Sequence, residues 1–234
     1  METLTSLNNE IISCRKCPRL VEWREEVARV KRKAYKDEEY WGKPVPGFGD
    51  PKARILVVGL APGAHGSNRT GRQFTGDASG GFLYPALFRA GFSNQPSAES
   101  RSDGLILKDM YITASARCAP PDNKPSPEEL NTCQPYLERE IQIVKPKAIV
   151  ALGRVAFERV LRIYNRKSST AFAHGAVYEL MTDHWLLASY HPSQQNTLTG
   201  KLTVDMFDDI WKKAKALVEN NDETWIDYPR RTRA

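Results

Sequence analysis

Unbroken apolar runs alternate along the chain with segments in which apolar and polar residues mix. The runs 55–58 and 148–152 show no alternation between polar and apolar positions. This pattern is typical of strands that are buried on both faces of a parallel sheet. Two further apolar runs predict strands at 111–114 and 185–189. We therefore expect four buried strands, most of them parallel.

Amphipathic helices are predicted between and around these strands. Apolar residues recur at helical spacing in the segments 19–33, 154–164 and 202–220. Another helix begins after Ser126, which forms a capping box with Glu129 three residues later. Because strands and helices alternate along the chain, the pattern predicts an α/β fold.

Composition indicates one folded domain. The chain has 234 residues, of which 41% are hydrophobic and 26% charged, values that are ordinary for globular proteins. We expect a single domain over 1–220, with an N-terminal segment at 1–50 and a basic C-terminal tail at 221–234. No apolar run approaches the roughly 18 residues that span a bilayer, and the N-terminus does not resemble a signal peptide. We therefore expect a cytoplasmic protein without a membrane partner.

The loop after the first strand is rich in glycine, as phosphate-binding loops are. It matches neither nucleotide motif. Gly59, Gly63 and Gly66 read G-x-x-x-G-x-x-G, not the dinucleotide pattern G-x-G-x-x-G. Gly66 and Gly71 have the P-loop spacing, but Arg72 stands where that motif needs lysine. We expect no nucleotide cofactor.

The same loop carries residues suited to another ligand. Phe74 offers a flat aromatic face and Asp77 a carboxylate, while His191 follows the fourth strand in "YHPSQQNT". Ligands of parallel α/β sheets bind beyond the carboxyl ends of the strands, so these side chains are expected to lie together. The alternative is structural: Phe74 in the core, Asp77 as a helix N-cap and His191 without a chemical role.

The four cysteines form two widely separated pairs. Cys14 and Cys17 are a C-x2-C, whereas Cys118 and Cys133 are separated by fourteen residues. The C-x2-C spacing lets two thiolates face one ion, so a shared structural site is favoured over two unrelated pairs of thiols. Four thiolates suit either zinc or a four-cysteine iron–sulfur cluster. Such a site would fasten the N-terminal segment to the body of the domain.

These motifs together resemble a known family. The segments "GLAPGAHGSNRTGRQFTGD", "YITASARCAPPDNKP" and "YHPSQQNT", with the four cysteines, resemble the family 5 uracil-DNA glycosylases of thermophilic archaea and bacteria. The resemblance implies a three-layer α/β/α sandwich around a four-stranded, mostly parallel sheet. It also implies a 4Fe-4S cluster held by Cys14, Cys17, Cys118 and Cys133, with zinc as the alternative.

The implied activity is hydrolysis of the bond between a damaged base and its sugar in DNA. Such enzymes extrude the nucleotide from the duplex into a pocket, because the bond cannot be reached inside the helix. Phe74 would stack on the base, and His191 would donate a hydrogen bond to it. Asp77 would stabilise the sugar cation and orient water, with Asn123 as a second polar group. The implied pocket wall consists of Gly59, Leu60, Ala61, Pro62 and Gly63.

Two departures from the related family 4 pattern affect the expected chemistry. Leu60 occupies the position of an acid that activates water in family 4, which leaves Asp77 as the candidate replacement. Ala114 replaces an Asn that reads the uracil edge. We therefore expect a roomier pocket that accepts uracil and also hypoxanthine, xanthine or 5-substituted uracils.

The expected partner is DNA that contains deaminated bases, bound by a monomer. The net charge of +6 is compatible with such a polyanion. Gln195 and Asn196 are expected beside the vacated base stack. Two other classes stay open: a non-catalytic nucleic-acid binder with a structural metal, and a nucleotide hydrolase. The candidate phosphate contacts are Arg69, Arg72, Lys124 and Lys201.

Overall fold

A mixed six-stranded sheet forms the centre of the protein. The structure is a computed structural model and describes residues 2–166 and 170–219. In the order β1-β3-β2-β4-β6-β5, neighbouring strands are hydrogen-bonded across the sheet. The strands are β1 (Phe48–Gly49), β2 (Ile55–Gly59), β3 (Met110–Ala114), β4 (Ala148–Leu152), β5 (Val177–Met181) and β6 (His184–Ser189).

The four predicted strands are confirmed as the parallel centre of this sheet. Strands β3, β2, β4 and β6 pair in parallel, while β1 and β5 pair antiparallel at the two edges. The predicted total of four strands is wrong. β1 has only two residues in a Pro- and Gly-rich segment, and β5 is half exposed, so neither produces the apolar run of a strand buried on both faces.

The four predicted helices lie close to their predicted positions, and the structure has others that the sequence patterns did not predict. The capping box at Ser126 is confirmed, because its hydroxyl accepts from the Glu129 N–H and the Glu129 carboxylate accepts from the Ser126 N–H. Among the described residues, none of the helices has the length and apolar character needed to cross a membrane. The helices are α1 (Leu4–Ser13), α2 (Pro18–Val30), α3 (Ser67–Thr70), α4 (Ala78–Ala90), α5 (Pro127–Val144), α6 (Arg154–Ile163), α7 (Gln194–Leu198) and α8 (Val204–Glu219).

Helices cover both faces of the sheet and give three layers. Val57 belongs to a core cluster with Leu83 of α4 and Trp211 of α8. Its neighbour Leu56 belongs to a second cluster with Phe157 of α6. Because successive side chains of a strand point to opposite faces, one apolar run supplies both cores. The three-layer α/β architecture is confirmed.

The N-terminal segment packs on α5. Leu7 and Ile11 of α1 form a small buried cluster with Tyr136. The Asn8 amide also donates to the carbonyl of Gly47 and to the hydroxyl of Tyr111, each at 3.4 Å. These contacts attach α1 to the body directly.

The division into a domain at 1–220 and a tail at 221–234 stays a prediction, and the tail lies outside the described residues.

Candidate active site

The candidate site lies at the carboxyl edge of the parallel strands. Gly59 and Ala114 are register partners at the ends of β2 and β3, and Leu152 and Ser189 are partners at the ends of β4 and β6. The loops that follow these strands therefore meet at one edge of the sheet. This edge brings together the Gly-rich loop after β2 and the His191 loop after β6.

Phe74 lies directly against the end of β2. A methyl group placed on Gly59 would stand 2.7 Å from the Phe74 Cζ atom, so only glycine allows the ring to lie there. Phe74 is buried and has a φ of +52°, which is unusual for a bulky residue. Its ring centroid is 6.0 Å from that of His191, at an interplanar angle of 32°. The predicted proximity of Phe74 and His191 is confirmed.

Two arginines hold the Gly-rich loop in shape. Arg69 is buried, donates to the carbonyl of Gly76 at 3.2 Å and forms an ion pair with Glu38. Arg72 is buried and donates to both carboxylate oxygens of Asp103, at 2.8 and 2.6 Å. The expectation that Arg69 and Arg72 contact DNA phosphates is therefore wrong, because both guanidinium groups are already paired inside the protein.

Asp77 caps α4 and also faces the Gly-rich loop. Its Oδ1 accepts a 2.9 Å hydrogen bond from the N–H of Gly80. Its Oδ2 lies against the loop, since a methyl group on Gly66 would stand only 2.1 Å from this oxygen. Burial raises the pKa of the Asp77 carboxyl, while hydrogen bonds from the backbone N–H groups of Gly80 and Ser79 act in the opposite direction. The structural alternative of an N-cap is thus present, and one oxygen remains outside the cap.

His191 is fixed by the loop that carries it. Its Cβ atom is 3.4 Å from the position of a methyl group built on Gly153, beyond the end of β4. Its carbonyl accepts a 2.9 Å hydrogen bond from the Asn196 amide. Loss of solvation on burial lowers the pKa of His191 to about 4, so the imidazole is neutral at pH 7 and has one N–H to donate.

Ala114 is flanked in the sequence by two residues whose hydroxyl groups are hydrogen-bonded within the protein. It is 1% exposed at the end of β3. The Thr113 hydroxyl donates to Glu140 at 2.7 Å, and the Ser115 hydroxyl donates to the carbonyl of Gly59 at 3.0 Å. Both neighbours are therefore used in the protein's own structure.

Other predicted residues lie further from this centre. Asn123 is exposed in a 3-10 turn, and its side chain makes no hydrogen bond among the described residues. Gln195 is exposed on α7, whereas Asn196 is tied to His191 as described. Lys124 is exposed, and the Lys201 ammonium lies 5.0 Å from the ring centroid of Tyr190. The predicted pocket wall, Leu60, Ala61, Pro62 and Gly63, follows β2 directly.

Sequence patterns did not indicate two features near His191. Leu198 at the end of α7 is 78% exposed, and an isolated leucine in a polar segment carries no periodic signal. Tyr190 stacks on His174, with ring centroids 4.9 Å apart. This pair lies beside Lys201, so an aromatic surface and a cation stand together next to the His191 loop.

The four cysteines line one small cavity between α2, α5 and the loop after β3. Within the part of the chain that is described, no three His, Cys, Asp or Glu side chains stand in an arrangement that holds a metal ion as it is. Burial raises the pKa of Cys118 to about 11 and that of Cys133 to about 12. The Arg117 N–H donates to the Cys133 sulfur at 3.3 Å. The donor set is thus four thiols on one cavity, which suits a sulfur-preferring metal or cluster.

A three-layer α/β fold thus carries an aromatic ring, a carboxylate and a neutral imidazole on the loops at one edge of its sheet. The chain belongs to the uracil DNA glycosylase superfamily, whose family profile matches residues 46–215. It is 56% identical over 209 residues to the Type-5 uracil-DNA glycosylase of Thermus thermophilus, covering 88% of this chain and 94% of that protein.

Two further relatives show the breadth of this similarity. The chain is 52% identical over 219 residues to the Type-5 uracil-DNA glycosylase of Mycobacterium leprae, covering 92% and 96% of the two chains. It is 31% identical over 235 residues to the Type-4 uracil-DNA glycosylase of Archaeoglobus fulgidus, covering 97% and 100%. The resemblance to family 5, drawn from the motifs, is confirmed.

The lowered pKa of His191 predicts a specific pH dependence of stability. An unfolded histidine takes up its proton near pH 6.5, whereas folded His191 does so near pH 4. The neutral form therefore contributes its full stability above pH 6.5, and this contribution is lost as the pH falls towards 4. We expect an NMR titration of the His191 ring to have its midpoint near 4. His191→Gln should flatten the fall in unfolding free energy between pH 6.5 and 4, and an unchanged fall would contradict the assignment.

Proposed function

We propose that this protein is a uracil-DNA glycosylase that extrudes uracil from DNA and hydrolyses its bond to the sugar, leaving an abasic site. The observation that supports this proposal best is the arrangement at the carboxyl edge of the sheet, where Phe74 lies against His191 and the Asp77 carboxylate contacts the Gly-rich loop that carries Phe74. This arrangement places an aromatic face, a carboxylate and an N–H donor around the Gly-rich loop. The chain belongs to the uracil DNA glycosylase superfamily, and its relatives are named for this activity.

The reaction breaks the bond between the sugar C1′ and the base nitrogen. The bonding electrons leave with the base, the sugar develops cationic character, and water then adds to C1′ and gives up a proton. Phe74 would hold the extruded base by stacking. Neutral His191 would donate its N–H to the uracil oxygen on which negative charge grows, and a fixed donor of this kind contributes about 3 kcal/mol.

Asp77 is the proposed partner of the sugar cation. Its Oδ1 is held by the Gly80 N–H, which fixes the carboxylate, and its Oδ2 faces the Gly-rich loop. A carboxylate that is already fixed and desolvated stabilises a developing positive charge without reorganising. Leu60 supplies no acid at the position that follows β2. Asn123 is proposed to assist in placing water once DNA covers the exposed turn.

DNA is proposed to lie across the surface formed by α7 and the residues beside it. The Lys201 ammonium lies over the Tyr190 ring, and Lys124 is exposed on the turn after β3. Lysines of this kind bind phosphates without regard to sequence. Gln195 and Leu198, two of the exposed residues of α7, are proposed to enter the gap left by the base. An apolar side chain such as Leu198 fits between stacked bases.

The cysteine cavity is proposed to hold a 4Fe-4S cluster. Four thiols from three separate parts of the chain line it, and their chemistry suits iron–sulfur ligation. When bound, the cluster would crosslink the N-terminal segment, the loop after β3 and α5 through four sulfur–iron bonds. Cys14 and Cys17 would bind from the N-terminal side, and Cys118 and Cys133 from the body of the domain.

Asp77→Asn separates the proposed chemistry from the helix cap, because Asn is as good an N-cap as Asp but has no charge. We expect wild-type protein to convert a uracil-containing oligonucleotide into an alkali-labile product. Asp77→Asn should lose about 100-fold or more in single-turnover rate with a nearly unchanged melting temperature. Absence of alkali-labile product from the wild type would contradict the glycosylase proposal. A wild-type rate in Asp77→Asn would contradict only the role of Asp77.

Ala114→Asn tests the proposed breadth of the pocket. Thr113 and Ser115 are engaged elsewhere, so the introduced side chain would be the amide at the end of β3 that reads the uracil edge. We expect hypoxanthine, xanthine and 5-substituted uracil oligonucleotides to be cleaved by wild type. The variant should lose these activities relative to uracil. Ala114→Ser, which adds a hydroxyl but no amide, is the matched control. Unchanged hypoxanthine cleavage in Ala114→Asn would contradict this account.

The absorption spectrum and metal content of the freshly purified protein test the cofactor. A 4Fe-4S cluster gives a broad brown absorbance, together with iron and acid-labile sulfide. Replacing Cys118 and Cys133 by serine should remove the colour and the iron together. A colourless wild-type protein that contains zinc would favour the alternative metal.

A further inference from the structure

A buried arginine stands between the cysteine cavity and the Gly-rich loop. Arg24 of α2 is 2% exposed, and its Nη1 atom donates to the Cys118 sulfur at 2.9 Å. Both Nη atoms also lie 3.3 Å from the carbonyl oxygen of Cys14. One side chain thus contacts one cysteine from each of the two widely separated pairs.

Within residues 2–166 and 170–219, the charge of Arg24 has no buried partner of opposite sign. The carboxylate found within 4 Å in this part of the chain is that of Glu25, at 3.6 Å. Glu25 is 44% exposed and already binds Arg15. The Arg24 Nε atom is buried without a hydrogen-bond partner among the described residues. Burying a cation is costly unless an anion compensates it, and the group that Arg24 faces is a cysteine sulfur.

Arg117 does not add a second unpaired positive charge beside the cysteine cavity. It is buried beside the same cavity, but its guanidinium is paired with the fully buried carboxylate of Glu140. The pair is close to neutral as a unit. Lys16 also lines the cavity, but its side chain is exposed to water and its ammonium lies over the Tyr136 ring. Among the described residues, Arg24 is therefore the buried positive charge beside the cavity that lacks a buried carboxylate, and four thiolates around a cluster would supply the negative charge.

The main chain of Arg24 reaches the base-pocket loop. Its carbonyl accepts a 3.2 Å hydrogen bond from the amide of Asn68, which is fully buried in α3. The Asn68 N–H in turn donates to the carbonyl of Gly63 at 3.0 Å. Arg24 and Asn68 thus form a continuous hydrogen-bonded connection from the Cys118 sulfur to the loop that faces Asp77.

We propose that Arg24 is the charge partner of the cysteine site and, through Asn68, the residue that couples occupancy of that site to the order of the Gly-rich loop. Arg24 is a positioning residue in this account. The inference rests on the proposed cofactor and is independent of the proposed reaction, so its tests measure metal and backbone order instead of cleavage.

Metal retention tests the role as charge partner. Arg24→Met removes the charge and the hydrogen bonds but keeps an apolar stem of similar length. We expect it to retain metal about tenfold less well than wild type against a ferrous chelator, as is usual for lost partners of metal ligands. Arg24→Lys keeps the charge but not the planar fork and should fall between them. Arg29→Met on the same helix is the control, because Arg29 is exposed and pairs with Glu26 at the surface.

Several outcomes would overturn this role. Wild-type retention in Arg24→Met would contradict it, as would equal losses in Arg24→Met and Arg29→Met. If Arg24→Met does not fold, Arg24→Lys provides the test, because lysine cannot reproduce the contact of the guanidinium with the sulfur. Metal retention equal to that of wild type in Arg24→Lys would then contradict a specific guanidinium contact. Wild-type protein without any metal would instead contradict the cofactor proposal.

Hydrogen exchange tests the coupling. In wild type, stripping the metal should speed amide exchange in 63–71. Asn68→Ala leaves the Arg24 side chain and its sulfur contact in place but removes the connection. We expect this variant to exchange faster in 63–71 while still loaded, with little further increase when stripped. If amide exchange in 63–71 of the wild type is unchanged after metal removal, the proposed coupling is wrong.

Discussion

The pocket depends on the close approach of an aromatic ring to a strand end that has no side chain. Phe74 can lie against β2 only because residue 59 is glycine. Its left-handed backbone costs about 1–2 kcal/mol, so the surrounding loop must hold it. The Tyr84 hydroxyl donates to the Gln73 carbonyl at 2.8 Å, and Arg72 is paired with Asp103. The ring that receives the base in our proposal is thus fixed before any ligand arrives.

The centre of the fold could be predicted from sequence, because buried parallel strands leave an unbroken apolar run and their carboxyl ends must share one edge. The meeting of Phe74 and His191 followed from that topology. The edge strands could not be predicted, since β1 is two residues long and β5 is half exposed. The partners of Arg72 could not be predicted either. Asp103 lies in a distant loop, and a count of charges does not show which ones are paired.

The burial of Arg24 could not be predicted while every arginine of the amphipathic helix was assumed to face solvent. Arg24 stands seven residues after Cys17, which caps α2, and three residues after Val21, so it lies on the same face of the helix as Val21. That face is buried. An arginine at this position must find a partner inside the protein, and the partner that the structure provides is a cysteine sulfur. Helical spacing relative to Val21 was the available signal.

The structural role of Asp77 as a helix cap leaves room for the chemical role that we propose for it. The sequence presented them as alternatives, an N-cap or a reactive carboxylate. A carboxylate has two oxygens, and the cap uses Oδ1 while Oδ2 faces Gly66 and the loop. A cap bond contributes about 1 kcal/mol to stability and also fixes the rotation of the group. The helix α4 thus supplies the preorganisation that a charge-stabilising carboxylate needs, because the oxygen facing the loop cannot turn away without breaking the cap.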